Sequence, residues 1–154
     1  GKSFTEAMYK GFVAAGTTIP KAGSTILATI RDLDKEDFLP MAKRMHNCGC
    51  KFIATAGTAA MLKENGIDCT PVKKIAEGVP NILDIIRSGI IDLIVDIPVK
   101  GNDVNSDGFK IRRVAIESDI SLMTSLDTVG AMVDVMEADY NAESVNIISL
   151  SDIH

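Results

Sequence analysis

Short apolar runs alternate with helical segments along this chain, and that alternation limits its fold more than any other feature. The runs at 24–30, 51–55 and 91–97 (STILATI, KFIAT and IDLIVDI) read as strands, and the last is apolar enough for a strand buried on both faces. Residues 34–47 and 58–65 lie between these runs and read as helices. The alternation predicts an α/β fold with a mostly parallel sheet between layers of helices.

Weaker segments complete the predicted order. The run at 69–73 reads as a short strand, and its Pro71 predicts an edge position because proline cannot donate a backbone hydrogen bond. The remaining predicted elements are helices over 3–15, 81–88, 109–118 and 127–139, and strands over 121–124 and 145–150. We therefore expect a Rossmann-like three-layer α/β/α fold with about five strands. Residues 1–23 are predicted to form a lead-in helix and connector, and residues 24–154 the α/β domain.

Charge and composition exclude several classes of protein. The net charge of −5 gives no basic surface for nucleic acid or anionic membranes. No apolar stretch reaches the ~18 residues that a membrane-spanning helix needs, and the N-terminus lacks the apolar core of a signal peptide. Three cysteines form no even disulfide framework, so we expect a cytoplasmic protein. The start at Gly1, without Met, predicts either a piece of a longer chain or a processed protein.

Polar residues follow the predicted strands, at the edge of the sheet where α/β proteins bind ligands. Thr55, Gly57 and Thr58 form a Thr-x-Gly-Thr turn between a strand and a helix. Glycine permits close approach of backbone, and a helix N-terminus offers free N–H groups to an anion. Lys35 follows the first strand and Lys74 the third, so both can add positive charge. The turn predicts a phosphate cradle; the alternative is that the threonines cap the helix and the lysines are solvated.

Two other motifs resemble metal-binding sites but lack the ligands that such sites need. Cys48 and Cys50 have no second pair of ligands at zinc spacing. The segment 103–108 (DVNSDG) begins like a calcium loop, but Val114 occupies the position where a bidentate glutamate is needed. The whole chain has two histidines, so it offers few candidates for the histidine of a Ser-His-Asp triad. We predict no metal ligands.

Three segments together resemble one known family, the methylglyoxal-synthase-like domain. They are FIATAGTAAMLKENGI (52–67), VKKIAEGVPNILDIIRSGIIDLIVDIP (72–98) and DGFKIRRVAIES…LMTSLDT (107–128). The resemblance covers nearly the whole chain, and is closest to the version of the domain at the C-terminus of carbamoyl-phosphate synthase large subunits. It implies that the start at Gly1 is the start of a domain excised from a long subunit.

The resemblance implies three competing functions. The first is an allosteric domain that binds a phosphorylated effector such as UMP or IMP and regulates carbamoyl phosphate synthesis for pyrimidine or arginine production. The second is a methylglyoxal synthase, which eliminates phosphate from dihydroxyacetone phosphate, and the third is the cyclohydrolase half of a purine-biosynthetic enzyme. A degenerate module that only docks subunits is a further alternative. The first function implies the rest of the large subunit and the glutaminase small subunit as partners, with ATP and Mg or Mn used by the parent enzyme and no cofactor in this domain.

The positions of the synthase's catalytic groups argue against the lyase. Its His-Asp pair after the first strand aligns with Arg31-Asp32, and its catalytic Asp aligns with Val79. The segment from Pro98 to Phe109 contains no histidine. The resemblance therefore predicts a binding domain with no catalytic residues.

The nucleotide-binding relatives imply roles for particular residues. Four positions match their phosphate contacts: Lys35, Thr55, Thr58 and Lys74. Thr29 falls where a small hydroxyl residue lies near the site, and Ile82 where an apolar side chain contacts the base or ribose. Thr124 matches a residue that faces the rest of the subunit in ornithine-regulated forms.

Asp96 departs from the family's pattern. The family often has Asn-Thr-Pro or Asn-Thr-Thr at the end of the fourth strand, where this chain has Asp96-Ile97-Pro98. An ionised carboxylate cannot donate a hydrogen bond to phosphate, as the amide can. This change predicts weak nucleotide binding, a different effector or lost regulation. Asp96 is alternatively expected to pair with Lys35 or Lys74 and to compete with phosphate for these cations.

Overall fold

Five strands and six α-helices alternate along residues 2–98 and 107–138, which are the residues that the computed structural model describes. The strands are β1 (Thr25–Ile30), β2 (Lys51–Thr55), β3 (Cys69–Val72), β4 (Leu93–Ile97) and β5 (Ser121–Met123). The helices are α1 (Lys2–Ala14), α2 (Lys35–Asn47), α3 (Ala56–Glu64), α4 (Ile82–Arg87), α5 (Asp107–Glu117) and α6 (126–138). Short 3-10 turns at Asp32–Asp34 and Ile75–Glu77 complete the order.

The strands form one sheet with the order β3-β2-β1-β4-β5, and every neighbouring pair is parallel. This confirms the predicted parallel sheet. It also confirms the edge position of Pro71, because β3 pairs only with β2 in this sheet. The strand predicted at 145–150 lies outside the described residues.

Apolar side chains alternate between the two faces of the sheet and give the protein two cores. On one face, Ile26 and Ala28 of β1 pack in a cluster with residues of α2, α3 and α6. On the other face, Leu27 of β1 and Ile94 of β4 pack in a cluster with residues of α4 and α5. Helices therefore cover both faces, which confirms the three-layer α/β/α arrangement. Phe12 of α1 joins the first cluster, whereas the division at residue 23 stays a prediction.

Two element boundaries differ from the predictions near the polar edge of the sheet. Helix α3 begins at Ala56, two residues before the predicted start, because Thr55 is the last extended residue and serves as the N-cap. Gly57 and Thr58 therefore lie in the first helical turn instead of a loop. Helix α5 begins at Asp107, two residues before the predicted start at Phe109.

Arg44 ties α6 to α2, the helix that begins with Lys35. Its guanidinium donates to the carboxylate of Asp134 at 2.6 Å, and its Nε atom donates to Glu137 at 3.2 Å. These bonds to two carboxylates raise the pKa of Arg44 above its ordinary value, so the guanidinium stays charged. The pairing links the C-terminal half of α2 to α6 at the protein surface.

Candidate functional site

A row of polar side chains crosses the carboxyl end of the sheet. Thr29 of β1 pairs in register with Asp96 of β4. Thr55 follows Ala54, which pairs with Ala28, and Thr124 follows Met123, which pairs with Val95. Since side chains alternate along a strand, the row shares the face of the sheet that α4 and α5 cover. Its members, in order across the sheet, are Thr55, Thr29, Asp96 and Thr124.

A cavity of about 660 Å³ lies over this row. All nine residues predicted for the site line it: Thr29, Lys35, Thr55, Gly57, Thr58, Lys74, Ile82, Asp96 and Thr124. The structure thus brings the predicted residues together, while their binding roles stay predictions. The lining also contains residues that the predictions did not include, notably Arg31, Asp107, Phe109 and Arg112.

The ammonium group of Lys35 lies over the first turn of α3. A Cβ atom built on Gly57 would be 2.9 Å from the Lys35 Nζ atom, so a residue without a side chain leaves this space to the lysine. The ammonium donates a hydrogen bond to the exposed carboxylate of Asp32. This bond to Lys35, with the charge of Lys35 and a smaller contribution from Lys74, lowers the pKa of Asp32 below its ordinary value. Lys35 is therefore already held by a carboxylate, and its side chain is only 20% exposed.

The two threonines of the turn use their hydroxyls within the protein. Thr58 Oγ1 accepts a hydrogen bond from the Ile30 N–H at 3.1 Å and donates to the Ile30 carbonyl at 3.4 Å. Thr55 Oγ1 donates to Thr29 Oγ1 at 3.3 Å and makes no capping bond to α3. The alternative in which Thr55 caps the helix with its side chain is therefore wrong. The first N–H groups of α3 receive no cap from Thr55, and these groups are what an anion can bind.

Asp96 is buried in the wall of the cavity, with 5% of its surface exposed. Burial raises the pKa of its carboxyl to about 6; Arg112 lowers this pKa and Asp107 raises it. The expected pairing of Asp96 with Lys35 is wrong, because Lys35 bonds to Asp32 instead. No ion pair joins Asp96 to Lys74 within residues 2–98 and 107–138. The charges that act on Asp96 come from α5, a helix that the predictions did not place at the site.

The structure offers no metal centre in its described part. Across residues 2–98 and 107–138, no three His, Cys, Asp or Glu side chains lie close enough to hold a metal ion. Cys48 and Cys50 are free thiols, and burial raises the pKa of Cys50 to about 11, so it stays protonated near neutral pH. Most of segment 103–108 lies outside the described residues. None of the described helices is both long enough and apolar enough to cross a membrane.

Comparison with known proteins agrees with this arrangement. The model of the MGS-like domain matches residues 37–124, which include β2 to β5 and most of the residues that line the cavity. The chain belongs to the MGS-like domain family. Within this family's segment lie both the Thr-x-Gly-Thr turn and Asp96.

Three curated relatives of this MGS-like domain are carbamoyl phosphate synthase large chains. The carbamoyl phosphate synthase large chain of Clostridium botulinum (strain Loch Maree / Type A3) is 49% identical over 152 residues, which are 99% of this chain and 14% of the relative. That of Clostridium perfringens (strain 13 / Type A) is 46% identical over 150 residues, 97% of this chain and 14% of the relative. That of Clostridium beijerinckii is 50% identical over 135 residues, 88% of this chain and 13% of the relative. The chain thus spans about a seventh of the length of these relatives.

Proposed function

We propose that this MGS-like domain is the allosteric effector-binding domain of a carbamoyl phosphate synthase large chain, and that its cavity binds a phosphorylated effector such as UMP or IMP. The observation that carries the proposal is the convergence of lysines, a helix N-terminus and hydroxyls in one cavity at the carboxyl end of the sheet. The similarity of 99% of the chain to part of a carbamoyl phosphate synthase large chain supports the identity of the parent enzyme.

The phosphate would lie between α3 and the two lysines. Lys74 is exposed and forms no ion pair with the described residues, so its ammonium is available to an anion. The free N–H groups of the first turn of α3 and the positive end of its dipole add to this charge. Lys35 joins them when it exchanges the Asp32 carboxylate for the phosphate.

The nucleoside part would extend toward α4 and α5. Ile82 lines the cavity from the first turn of α4, and Ile75 and Phe109 add apolar surface. Such a wall suits the face of a base or the carbon side of a ribose. A single cavity thus combines an anion-binding end with an apolar end, as a nucleotide requires.

Regulation would follow from coupling between this cavity and distant active sites. The partners are the rest of the large chain and a glutaminase small subunit, and the ATP and the Mg or Mn ions of the parent enzyme bind outside this domain. An effector that favours one state of the parent enzyme would raise or lower carbamoyl phosphate synthesis for pyrimidine or arginine production.

Ligand-induced stabilisation tests the proposal directly. UMP at about 100 times its dissociation constant should stabilise the folded domain by roughly 2.7 kcal/mol and raise its melting temperature by several degrees. Lys74→Ala should remove this shift because it deletes the exposed cation of the phosphate site. Lys63→Ala, which deletes an exposed lysine at the far end of α3, is the matched control and should retain the shift. The proposal fails if neither UMP nor IMP at millimolar concentration changes the melting temperature of the wild type.

The Gly57→Ala variant should change UMP affinity and fold stability in opposite directions, so the two effects can be distinguished. Alanine should raise the free energy of unfolding by a few tenths up to about 1 kcal/mol, since Gly57 lies in a helix without a positive φ. The new methyl group should displace the Lys35 ammonium and weaken UMP binding by about tenfold, the magnitude of one charge-assisted hydrogen bond. Urea unfolding and calorimetric titration measure the two effects.

The control for Gly57→Ala is Gly11→Ala in α1. No atom lies within 4 Å of a Cβ atom built on Gly11, so this variant should gain stability without any change in UMP affinity. Equal UMP affinity in the Gly57→Ala variant and the wild type would contradict the proposed position of Lys35 at the phosphate.

The lyase alternative can be tested directly, with Asp96 as the candidate proton acceptor. A carboxyl group with a pKa of about 6 is able to accept a proton from a bound substrate, although it lies at a different position from the aligned catalytic Asp. We expect no phosphate release when the domain is incubated with dihydroxyacetone phosphate. Steady release that Asp96→Asn abolishes would replace the binding function with a catalytic one.

A further inference from the structure

The carboxyl of Asp96 has no hydrogen-bond partner among the described residues, although 95% of its surface is buried. No side chain or backbone group of residues 2–98 and 107–138 donates to it. Since no side-chain oxygen in this part of the chain is both fully buried and unpaired, the Asp96 oxygens are accessible from the cavity that the residue lines. An ionised carboxylate only accepts hydrogen bonds. A carboxylate in such a cavity wall is solvated less well than in water, and a ligand hydroxyl can supply the donor that the protein does not.

The groups that face Asp96 come from every element around it. Thr29 of β1 lies beside it, with a hydroxyl that already accepts from Thr55. Thr124 follows β5 on the other side. Arg112 and Asp107 act on it from α5, with opposite effects. The two lysines line the same cavity from α2 and from the segment after β3.

These neighbours give the cavity two ends that differ in charge and in hydrogen-bonding character. The end with the lysines and the α3 N–H groups offers donors and positive charge, which suit a phosphate. The Asp96 end offers an acceptor with negative charge, which repels phosphate oxygens and attracts a hydroxyl group. A ligand that carries both a phosphate and a nearby hydroxyl satisfies both ends at once.

We propose that Asp96 is the specificity-determining residue of this cavity and selects phosphate esters that carry a hydroxyl group close to the phosphate, such as sugar and polyol phosphates, over phosphate esters without one. The inference rests on the proposed function, because it assumes that the lysine end binds phosphate. It adds the class of ligand and the residue that discriminates.

Two small phosphate esters isolate the effect of the hydroxyls. Glycerol 3-phosphate and propyl phosphate have the same charge and a three-carbon chain, and differ in two hydroxyl groups. At pH 8 the wild type should bind glycerol 3-phosphate at least about tenfold more tightly than propyl phosphate, as expected for a hydrogen bond to a charged group. Asp96→Ala should bring the two affinities to within about twofold, mainly because propyl phosphate binds better once the negative charge is gone.

A matched variant and a pH series complete the experiment. Asp68→Ala removes an exposed carboxylate at the opposite end of the sheet and should keep the wild-type ratio of affinities. In the wild type, the ratio should fall below pH 6 as Asp96 takes up a proton and becomes able to donate to phosphate. The second ionisation of the phosphate occurs in both esters at a similar pH and therefore largely cancels in this ratio. The pH series needs only the wild type, so it tests the inference even if Asp96→Ala does not fold.

The outcomes separate the inference from the proposed function. Binding of both esters by the wild type with equal affinity, or a ratio that Asp96→Ala leaves unchanged, overturns the inference while the phosphate site stands. Failure of the wild type and of Asp68→Ala to bind either ester, while UMP or IMP still raises the melting temperature, overturns the inference alone. Failure to bind UMP and IMP as well overturns the proposed function and the inference with it.

Discussion

Replacing Asp96 with asparagine should raise the free energy of unfolding at pH 8 by about 3 kcal/mol, since the pKa of the carboxyl rises from 3.8 to about 6 on folding and each unit is worth about 1.4 kcal/mol. Burial is the main cause of the rise, because the cavity wall cannot solvate the charged form as water does. The amide has nearly the same shape and carries no charge, so it removes this cost.

The sign of the pH dependence follows from which state holds the proton. Between pH 3.8 and about 6 the folded protein binds the Asp96 proton more tightly than the unfolded chain does. The stability of the wild type should therefore fall as the pH rises through this window, and stay lower above it. The Asp96→Asn variant lacks this contribution, so the two proteins should converge in stability near pH 4 and diverge toward pH 8.

Urea unfolding of both proteins from pH 4 to pH 8 measures the difference. Asp68→Asn is the matched control, because it makes the same chemical change at an exposed position and should alter stability by less than about 0.5 kcal/mol. A difference between Asp96→Asn and the wild type that is constant across this range would show that burial does not perturb the carboxyl.

Replacing Thr58 with valine should destabilise the domain by about 1–3 kcal/mol, the cost of leaving a buried polar group unpaired. Valine has nearly the same shape but lacks the hydroxyl that accepts from the Ile30 N–H. Thr58 and Ile30 are 1% and 5% exposed, so water cannot readily replace the lost acceptor. The hydroxyl therefore holds the start of α3 to the end of β1.

Two further variants define this effect in urea unfolding. Thr58→Ser keeps the hydroxyl and should recover most of the loss, apart from the contribution of one methyl group. Thr70→Val makes the same change at an exposed position on β3 and should alter stability by less than about 0.5 kcal/mol. A Thr58→Val variant as stable as the wild type would mean that the Ile30 N–H finds another acceptor.

The fold was predictable because parallel strands buried between helices leave a strong sequence pattern. The runs at 24–30, 51–55 and 91–97 correspond to β1, β2 and β4, and Pro71 indicates that β3 is an edge strand. The carboxyl ends of parallel strands meet at one edge of a sheet. For this reason, residues as far apart as Lys35 and Lys74 could be assigned to one edge of the sheet, whereas Thr29 and Thr124 were assigned through the resemblance to nucleotide-binding relatives.

The roles of individual groups were less predictable because they depend on side-chain direction. The letters Thr-x-Gly-Thr fit both hydroxyls that bind a ligand and a hydroxyl that bonds to a neighbouring strand, and the structure gives Thr58 the second role. Arg112 and Asp107 reach the cavity because α5 lies over the Asp96 end of the sheet, which helical spacing alone does not indicate. The pair of Asp32 and Lys35 spans a 3-10 turn whose geometry the sequence did not reveal.

If the proposed function is correct, the bond between Asp32 and Lys35 determines how much Lys35 contributes to the affinity for the effector. Lys35 already has a counter-ion in Asp32, so the phosphate of the proposed effector would replace one anion with another instead of neutralising an unpaired cation. The affinity contributed by Lys35 is then the difference between two ion pairs, one internal and one with the ligand. Because Asp32 is exposed and Lys35 is not, the carboxylate is the member of the pair that can swing into water and vacate the site.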